Sequence, residues 1–154
     1  MDHEQNDRAD VEAAAVSLLA SREHSRAELC RKLGAKRVDP ELVDSILDGL
    51  QKDRLQSDER FAENYVEKRS RKGFGPLRIR VELAERGVAS ELISRWVDEG
   101  PWDWGELLDE AAAQKFGTGP AGDMKALGKR GRFLEQRGFP ISLIRRYLNR
   151  VRGF

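Results

Sequence analysis

A set of apolar residues that recurs three times along the chain is the feature that most limits its possible folds. The members of the set lie at relative positions 0, 5, 9 and 13, and the same offsets return after 50 residues and again after a further 51. Self-similarity at such a period is typical of tandem repeats in which each unit packs on its neighbours. The three sets are Leu33, Val38, Leu42 and Ile46; Leu83, Val88, Leu92 and Trp96; and Leu134, Phe139, Leu143 and Tyr147.

Residues that start and stop helices divide each period into three helices. Ser25 and Glu28 form a capping box, and Asp39-Pro40-Glu41 combines an N-cap with a proline at the first helical position. Strand patterns are nearly absent. The sequence therefore predicts an all-α fold in which three tandem three-helix repeats form an elongated, curved array, with a disordered tail at 1–10 and repeats at 11–55, 56–100 and 101–154. Further helix starts and stops are expected at Ser57, Gly75-Pro76, Gly87, Ser90, Asp103, Phe116, Arg137 and Ile141.

Side chains that could carry catalysis or hold a metal are too few for either role. The two histidines are His3 and His24, and neither belongs to a set of ligands or to a nucleophile with a base within reach. The single cysteine, Cys30, excludes an internal disulfide, and we expect it to be a small buried thiol rather than a reactive one. The sequence therefore predicts a protein that is not an enzyme and that needs no cofactor or metal.

No segment of the chain predicts export or a membrane anchor. Residues 1–10 are polar and lack the apolar run of a signal peptide, and no stretch approaches the ~18 consecutive apolar residues of a membrane span. We therefore expect a cytoplasmic protein. We also expect a monomer, because an open array with polar ends needs no second copy.

Positive charge is concentrated in two parts of an otherwise acidic chain. Charged residues make up 36% of the sequence, against about 25% in typical globular domains, yet the net charge is only +1. Residues 123–154 hold nine Lys or Arg and two acids, so they carry about +7 and the rest of the chain about −6. The candidate binding residues are Lys68, Arg69, Arg71, Lys72, Arg78 and Arg80 in one segment, and Lys125, Lys129, Arg130, Arg132, Arg145, Arg146 and Arg150 in the third repeat.

Each of these features has a structural alternative. Cations near the end of the fourth predicted helix stabilise its negative end by about 0.3–1 kcal/mol each, although six cations with no acid between them exceed that need. Arg80 falls within the apolar arc of its helix, so it must extend to solvent, pair with an acid or contact a partner. The third repeat presents either a face for phosphates and acids or a merely solvated one. Trp102 and Trp104 either pack between the second and third repeats or stack on bases.

Three motifs follow one another between residues 25 and 88, and their ordered combination is more specific than any one of them. They are Ser25-Arg26-Ala27-Glu28-Leu29-Cys30-Arg31-Lys32-Leu33, Arg60-Phe61-Ala62-Glu63-Asn64-Tyr65, and Arg69-Ser70-Arg71-Lys72-Gly73-Phe74-Gly75-Pro76-Leu77-Arg78-Ile79-Arg80-Val81-Glu82-Leu83 with the turn Arg86-Gly87-Val88. The combination resembles the RecX family, bacterial regulators of the RecA recombinase. The resemblance covers about residues 11–100 and is weaker beyond them, and Leu55-Gln56-Ser57-Asp58 departs mildly from the turn usual in the family.

The resemblance implies tandem three-helix repeats without enzymatic activity. It also implies binding to RecA, above all along the groove of the filament that RecA forms on single-stranded DNA. There, members of the family inhibit ATP hydrolysis and strand exchange or promote disassembly, and so regulate recombination, DNA repair and the SOS response. Together with the charge distribution, this predicts that the acidic to neutral repeats contact RecA, while the basic segments face single-stranded DNA, duplex DNA or an acidic part of the filament.

Two other functions stay compatible with the residues. The chain could bind nucleic acid by itself as a helical repeat protein, and RecA would then add nothing to its affinity for DNA. It could instead be an adaptor for another protein, and its binding would then ignore DNA altogether. An enzyme is the least compatible class, because no base, nucleophile or metal set is present.

Overall fold

The computed structural model describes residues 2–35 and 38–154, with side chains from residue 7 onward. Within that part of the chain the fold is all-α, and the one β-type pairing is an isolated bridge between Ala121 and Arg152. The helices confirm the predicted fold class of three repeats with three helices each. They are α1 (Asp2–Ser21), α2 (Arg26–Gly34), α3 (Pro40–Lys52), α4 (Asp58–Arg71), α5 (Pro76–Glu85), α6 (Ser90–Ile93, continued by a π-helical turn at Ser94–Asp98), α7 (Trp104–Phe116), α8 (Met124–Gln136) and α9 (Ile141–Val151).

The segment predicted to be a disordered tail is instead helical, because α1 begins at Asp2. The sequence of this segment contains Glu, Gln, Arg and Ala, which have good helix propensity. Arg8 also donates from Nη1 to Ser45 Oγ on α3 at 3.3 Å. This contact ties the polar start of α1 to the first repeat, so low apolar content did not mean disorder here.

The recurring apolar positions form the buried side of each repeat. At relative position 0, Leu33, Leu83 and Leu134 are each at most 1% exposed. Position 9 is half-buried in all three repeats, and positions 5 and 13 are buried or half-buried, so none of the twelve residues is exposed. The core of the first repeat comprises Val11, Ala15, Leu29, Leu33, Val43, Ile46, Leu47 and Leu50, and that of the third comprises Leu108, Ala111, Ala112, Leu134, Phe139, Ile144 and Tyr147.

The predicted helix starts are confirmed at the level of individual hydrogen bonds. Ser25 Oγ accepts from the Glu28 amide, and the Glu28 carboxylate accepts in return from the Ser25 amide, both at 3.1 Å. Asp39 accepts from the amide of Glu41, and Pro40 is the first residue of α3. In the third repeat, the helix starts predicted at Asp103 and Ile141 and the helix ends predicted at Phe116 and Arg137 agree with the structure to within one residue.

The repeats are distributed over two compact units. One unit comprises Met1–Asn64 and Ala84–Leu92, and the other comprises Tyr65–Leu83 and Ile93–Phe154. The first unit therefore holds the first repeat with the α5–α6 turn, and the second holds the third repeat with the α4–α5 corner. Each unit contains one joint between consecutive repeats.

The joint in the first unit brings the start of α2 against the α5–α6 turn. Ser25 Oγ donates to the carbonyl of Arg86 at 2.7 Å. Gly87 has a φ of +78°, and a Cβ atom there would lie 2.4 Å from Ala27 Cβ. The left-handed φ and the close approach both require glycine.

The joint in the second unit repeats this arrangement about 50 residues later in the sequence. The amide of Gly75 donates to the carbonyl of Arg137 at 2.7 Å, and the amide of Leu77 donates to the carbonyl of Gly138 at 2.9 Å. Gly138 has a φ of +93°, and a Cβ atom there would lie 2.6 Å from the backbone nitrogen of Arg78. The start of α5 is therefore joined to the α8–α9 turn mainly through backbone atoms.

The tryptophans between the second and third repeats are held by structural hydrogen bonds. Trp102 Nε1 donates to the carbonyl of Trp96 at 2.6 Å, and Trp104 Nε1 donates to the carbonyl of Val97 at 2.9 Å. Both acceptors belong to the π-helical turn, where the backbone departs from α-helical bonding. Trp104 also packs against the core of the third repeat. These contacts agree with the packing interpretation of the two residues.

The prediction that Cys30 is buried is wrong, because its side chain is exposed. The buried residues of α2 are Leu29 and Leu33, which lie four positions apart on one face. Cys30 follows Leu29 by one residue, and the ~100° turn per residue of an α-helix carries it out of that face. Adjacency in sequence to a buried stripe was therefore not enough to predict burial.

We expect the first repeat to lose stability as the pH falls below the ordinary pKa of histidine. His24 is 1% exposed, and its ring nitrogens lie 3.0 Å from the carbonyl of Arg22 and 2.9 Å from Lys32 Nζ. Burial, together with the charges of Arg22 and Lys32, lowers the pKa of His24 below 6.5, so the folded state favours the neutral ring. Because the unfolded chain then binds more protons, acidification favours unfolding.

Urea unfolding followed by circular dichroism between about pH 7.5 and about pH 5 tests this prediction, since carboxylates with ordinary or lowered pKa values titrate below that window. The urea midpoint of the wild type should fall across the window, and that of His24→Gln should fall less. Equal falls in the two proteins would assign the effect to other groups.

Candidate nucleic-acid and partner interface

Two of the predicted binding residues, Arg69 and Arg78, share a carboxylate on α5. Arg69 donates from Nε and Nη2 to the two carboxylate oxygens of Glu82, both at 2.9 Å, and Arg78 Nε donates to the same group at 3.4 Å. Tyr65 adds a hydroxyl donor at 3.0 Å. Burial alone would raise the pKa of Glu82, but the hydrogen bonds from Arg69 and Tyr65 outweigh it and hold that pKa below its usual value. Arg69 therefore joins α4 to α5, whereas Arg78 lies on the same helix as Glu82 and forms a longer and more exposed pair with it.

Phe74 lies among three guanidinium groups at the same corner. The guanidinium carbons of Arg69, Arg78 and Arg137 lie 3.8, 4.5 and 4.6 Å from the centre of its ring. Such contacts are worth about 0.5–1 kcal/mol at exposed sites and more when desolvated. Arg137 also donates from Nη1 to the carbonyl of Lys72 at 3.1 Å. Three cations and one carboxylate leave this cluster positively charged.

Three further candidates form exposed ion pairs within the chain. Arg80 donates from Nη1 to Asp98 at 3.0 Å. Of the possibilities that the sequence left open for this residue, the structure shows pairing with an acid. Surface pairs contribute about 0–1 kcal/mol, so such cations can exchange their partner for another anion at small cost. The other two pairs are Arg71 with Glu67 and Arg150 with Asp109.

Arg130 is a core residue rather than a surface cation. It is 7% exposed, and its Nη1 donates to the carbonyl of Gly119 at 3.0 Å and to the hydroxyl of Tyr147 at 3.1 Å. Its guanidinium also lies 5.5 Å from the centre of the Phe116 ring. The structure thus places this group inside the third repeat, away from the surface that a nucleic acid would meet.

The remaining seven candidates are exposed and form no salt bridge with any described residue. Three of them, Lys125, Lys129 and Arg132, lie at i, i+4 and i+7 on α8 and therefore on one face. That face points away from Leu134, which is buried in the core. The other four are Lys68 and Lys72 beside the α4–α5 corner and Arg145 and Arg146 on α9.

The sequence did not single out Glu82 and Phe74, the two residues around which the arginines of the corner are arranged. Glu82 follows Arg78 by four residues on one helix, so that pairing was available from spacing alone. The contact of Phe74 with Arg137 was not, because it joins residues 63 positions apart across the second joint. The signal that could have indicated it is the repeated glycine turn, since Gly138 follows Arg137 as Gly87 follows Arg86.

Neither a metal site nor a membrane span is found in the described residues. No group of three or more His, Cys, Asp or Glu side chains in that part of the chain is placed to hold a metal ion. Its helices are also too short or too polar to cross a membrane. What the surface offers is positive charge on α8, on α9 and at the α4–α5 corner.

All three repeats match domains of one protein family. Residues 13–50 match the first three-helix domain of RecX, residues 57–95 the second and residues 105–148 the third. Two solved structures are similar in fold, at 18% and 20% sequence identity. The crystal structure of RecX from Lactobacillus salivarius has a TM-score of 0.78 and covers 96% of this chain and 97% of that one. A crystal structure of regulatory protein RecX has a TM-score of 0.73 and covers 92% of this chain and 72% of that one.

Similar sequences extend over nearly the whole chain. Regulatory protein RecX from Pseudomonas savastanoi pv. phaseolicola is 42% identical over 139 residues, which are 90% of each chain. Regulatory protein RecX from Ectopseudomonas mendocina is 41% identical over 138 residues, 90% of this chain and 92% of that one. With all three family domains matched in order, the chain belongs to the RecX family of regulatory proteins.

Proposed function

We propose that this protein binds the RecA recombinase and its filament on single-stranded DNA, and that it inhibits ATP hydrolysis and strand exchange and so modulates recombination and DNA repair. The observation that carries the proposal is the match of all three repeats to domains of a regulatory family. The protein acts by binding rather than by catalysis, in the cytoplasm and as a monomer.

The distribution of exposed charge supports a role for DNA in this binding. Cations on one face of a helix neutralise backbone phosphates without reading sequence, and such binding weakens as salt rises. The face of α8 with Lys125, Lys129 and Arg132 has this character, and Arg145 and Arg146 add exposed charge on α9. A filament offers protein and single-stranded DNA together, so a chain with acidic and basic parts can contact both.

Titration of the purified protein into preformed RecA filaments on single-stranded DNA, at fixed salt, tests the proposed function directly. The rate of ATP hydrolysis should fall with dose and approach its minimum near or below one protein per recombinase protomer. An unchanged rate at large excess, with the protein folded and the filament intact, contradicts the proposal.

Reversing two charges on α8 should weaken filament binding strongly. Lys129→Glu with Arg132→Glu removes two cations and adds two repelling anions, so we expect the affinity to fall at least about tenfold at low salt. The salt dependence of log K should become shallower by about one for each phosphate that the variant no longer neutralises. Filament binding measured by anisotropy of the labelled protein at several salt concentrations gives both quantities.

The matched control is Arg31→Glu with Lys52→Glu, which changes the net charge equally at two exposed positions of the first repeat. If this control loses as much affinity as the α8 variant, the α8 face contributes no more to filament binding than the first repeat does, and it has no special role. If the wild type binds bare single-stranded DNA with no gain from RecA, the function is that of a nucleic-acid-binding repeat protein.

A further inference from the structure

We propose that a pocket between the ends of α4, α7 and α8 holds a phosphodiester group of single-stranded nucleic acid. The pocket has a volume of about 190 Å³, and its lining includes Lys72, Gly73, Gln114, Lys115, Phe133 and Arg137. A water molecule takes about 30 Å³ in the liquid, so the space admits a phosphate and its ester oxygens. The proposal deepens the proposed function and rests on it for the choice of nucleic acid among polyanions.

Arg137 supplies the directional donors of the pocket. Its guanidinium lies 4.6 Å from the ring centre of Phe74 and 4.8 Å from that of Phe133, so two rings fix its orientation. One nitrogen, Nη1, donates to the carbonyl of Lys72. In the described part of the chain no carboxylate pairs with this arginine, unlike Arg69 and Arg78 beside it. A planar guanidinium held in place with donors to spare matches the geometry of a phosphate.

Lys72 and Lys115 add two exposed cations at the mouth of the pocket. The pocket lies where α4, α7 and α8 end, and each helix end contributes about half a negative charge. Three full positive charges exceed that contribution, and no acidic side chain lines the pocket. The local field therefore favours an anion.

Phe133 gives the pocket an apolar wall next to its cations. The Phe133 ring meets the Phe116 ring edge to face, with ring centres 5.3 Å apart and planes at 88°, so its position is fixed. Lys129 precedes Phe133 by four residues on α8, so the exposed basic face of that helix leads to the pocket. A single strand that follows this face would place one phosphate over the three cations while a sugar contacts the ring. In proteins that bind single strands without sequence preference, a basic groove follows the backbone and aromatic rings beside it add contacts, mostly by stacking on bases.

Binding of a short fluorescent oligothymidylate to the isolated full-length protein tests the pocket without recombinase. Lys115→Glu and Lys72→Glu should each lower the affinity at least about tenfold and make the salt slope shallower by about one. Lys52→Glu is the matched control, because Lys52 is an exposed lysine in the last turn of α3 as Lys115 is in α7. This control should stay within about twofold of the wild type.

Oligothymidylate affinities of Lys115→Glu and Lys72→Glu that equal that of Lys52→Glu would overturn the pocket, whatever the effect of these proteins on RecA. The RecA titration, run in parallel, separates the two proposals. A wild type that leaves filament ATP hydrolysis unchanged contradicts the proposed function, yet the pocket still stands if its two variants lose DNA affinity. Because the two substitutions change separate exposed lysines, the test can still be made if one of the variants fails to fold. Circular dichroism shows whether each variant is folded.

Discussion

Gly138→Ala is expected to lower the free energy of unfolding by about 3 kcal/mol or more, enough to remove much of the stability of a domain this size. Two effects combine. The φ of +93° at Gly138 is left-handed, which costs a residue with a Cβ about 1–2 kcal/mol. The new Cβ would also lie 2.4 Å from Arg78 Cβ and 2.6 Å from its backbone nitrogen. Urea unfolding followed by far-ultraviolet circular dichroism measures the loss.

Gly73→Ala separates the two effects. Gly73 has a φ of +90°, but the nearest atoms to a Cβ there are Ala111 Cβ at 3.3 Å and Arg137 Nη1 at 3.5 Å. This variant should therefore show the conformational cost of about 1–2 kcal/mol with little of the clash. If Gly138→Ala costs no more than Gly73→Ala, the joint between the second and third repeats yields to a methyl group, and its close packing is not a source of stability.

The clash that Gly87→Ala would cause in the first joint can be relieved by a second substitution, whereas the clash that Gly138→Ala would cause in the second joint cannot. At Gly87 the obstructing atom is the Cβ of Ala27, a side-chain atom that Ala27→Gly removes. At Gly138 the obstruction includes the backbone of Arg78, which no substitution removes. The two joints thus hold equivalent positions in the sequence. In the first, a side-chain atom leaves no room for a Cβ at the glycine, and in the second, main-chain atoms do.

The sequence predicted the helices because their signals are local. A capping box, a proline at a first helical position and an apolar face each act within one or two turns, and the structure reproduces them at Ser25, Pro40 and Leu33. The joints depend on contacts between residues about 60 positions apart, such as Ser25 with Arg86. The glycines at those joints were visible in the sequence, but the surface that each of them meets was not.

The candidate binding residues were harder to predict, because a basic side chain looks the same in sequence whether it faces solvent or an acid. Arg130 and Lys129 are neighbours in one helix, yet the first donates to Tyr147 in the core and the second is exposed. Helix geometry decides between them, because a step of one residue turns the side chain by ~100°. The ion pair of Arg69 could not be predicted from sequence spacing, because its partner Glu82 belongs to a different helix.

The positive charge of the chain therefore has two roles that mutation can separate. Arg69 and Arg130 hold helices together, and their replacement should change stability first. Lys129, Arg132, Arg145 and Arg146 have exposed side chains, so their replacement should change binding and leave stability nearly intact. Charge reversal at the second group is accordingly the cleaner probe of DNA and RecA contact.

Glu82→Gln should show the structural role most clearly, with a loss of about 2 kcal/mol in the free energy of unfolding. The carboxylate accepts hydrogen bonds from Nε and Nη2 of Arg69, both at 2.9 Å, and from the hydroxyl of Tyr65 at 3.0 Å. The side chain of Glu82 is only 15% exposed. An amide keeps the size of the side chain but removes the charge and one acceptor, so the guanidinium of Arg69 is left half-buried without its counter-ion. Removing one partner of such a pair leaves an uncompensated charge and is strongly destabilising, whereas replacing both partners by apolar residues changes the stability much less. Thermal and urea unfolding of the variant measure this loss.

Glu67→Gln is the matched control, because it removes the same charge from the same side-chain type in an exposed pair with Arg71, whose side chain is 76% exposed. The loss there should stay within about 0.5 kcal/mol, as for other pairs of this spacing on a helix. Equal losses at the two positions would mean that Arg69 gains nothing from its burial beside Phe74 and can turn to solvent when its partner is removed. In that case Arg69 would return to the group of cations available to a phosphate, and the positive surface at the α4–α5 corner would be larger than the ion pairs now leave it.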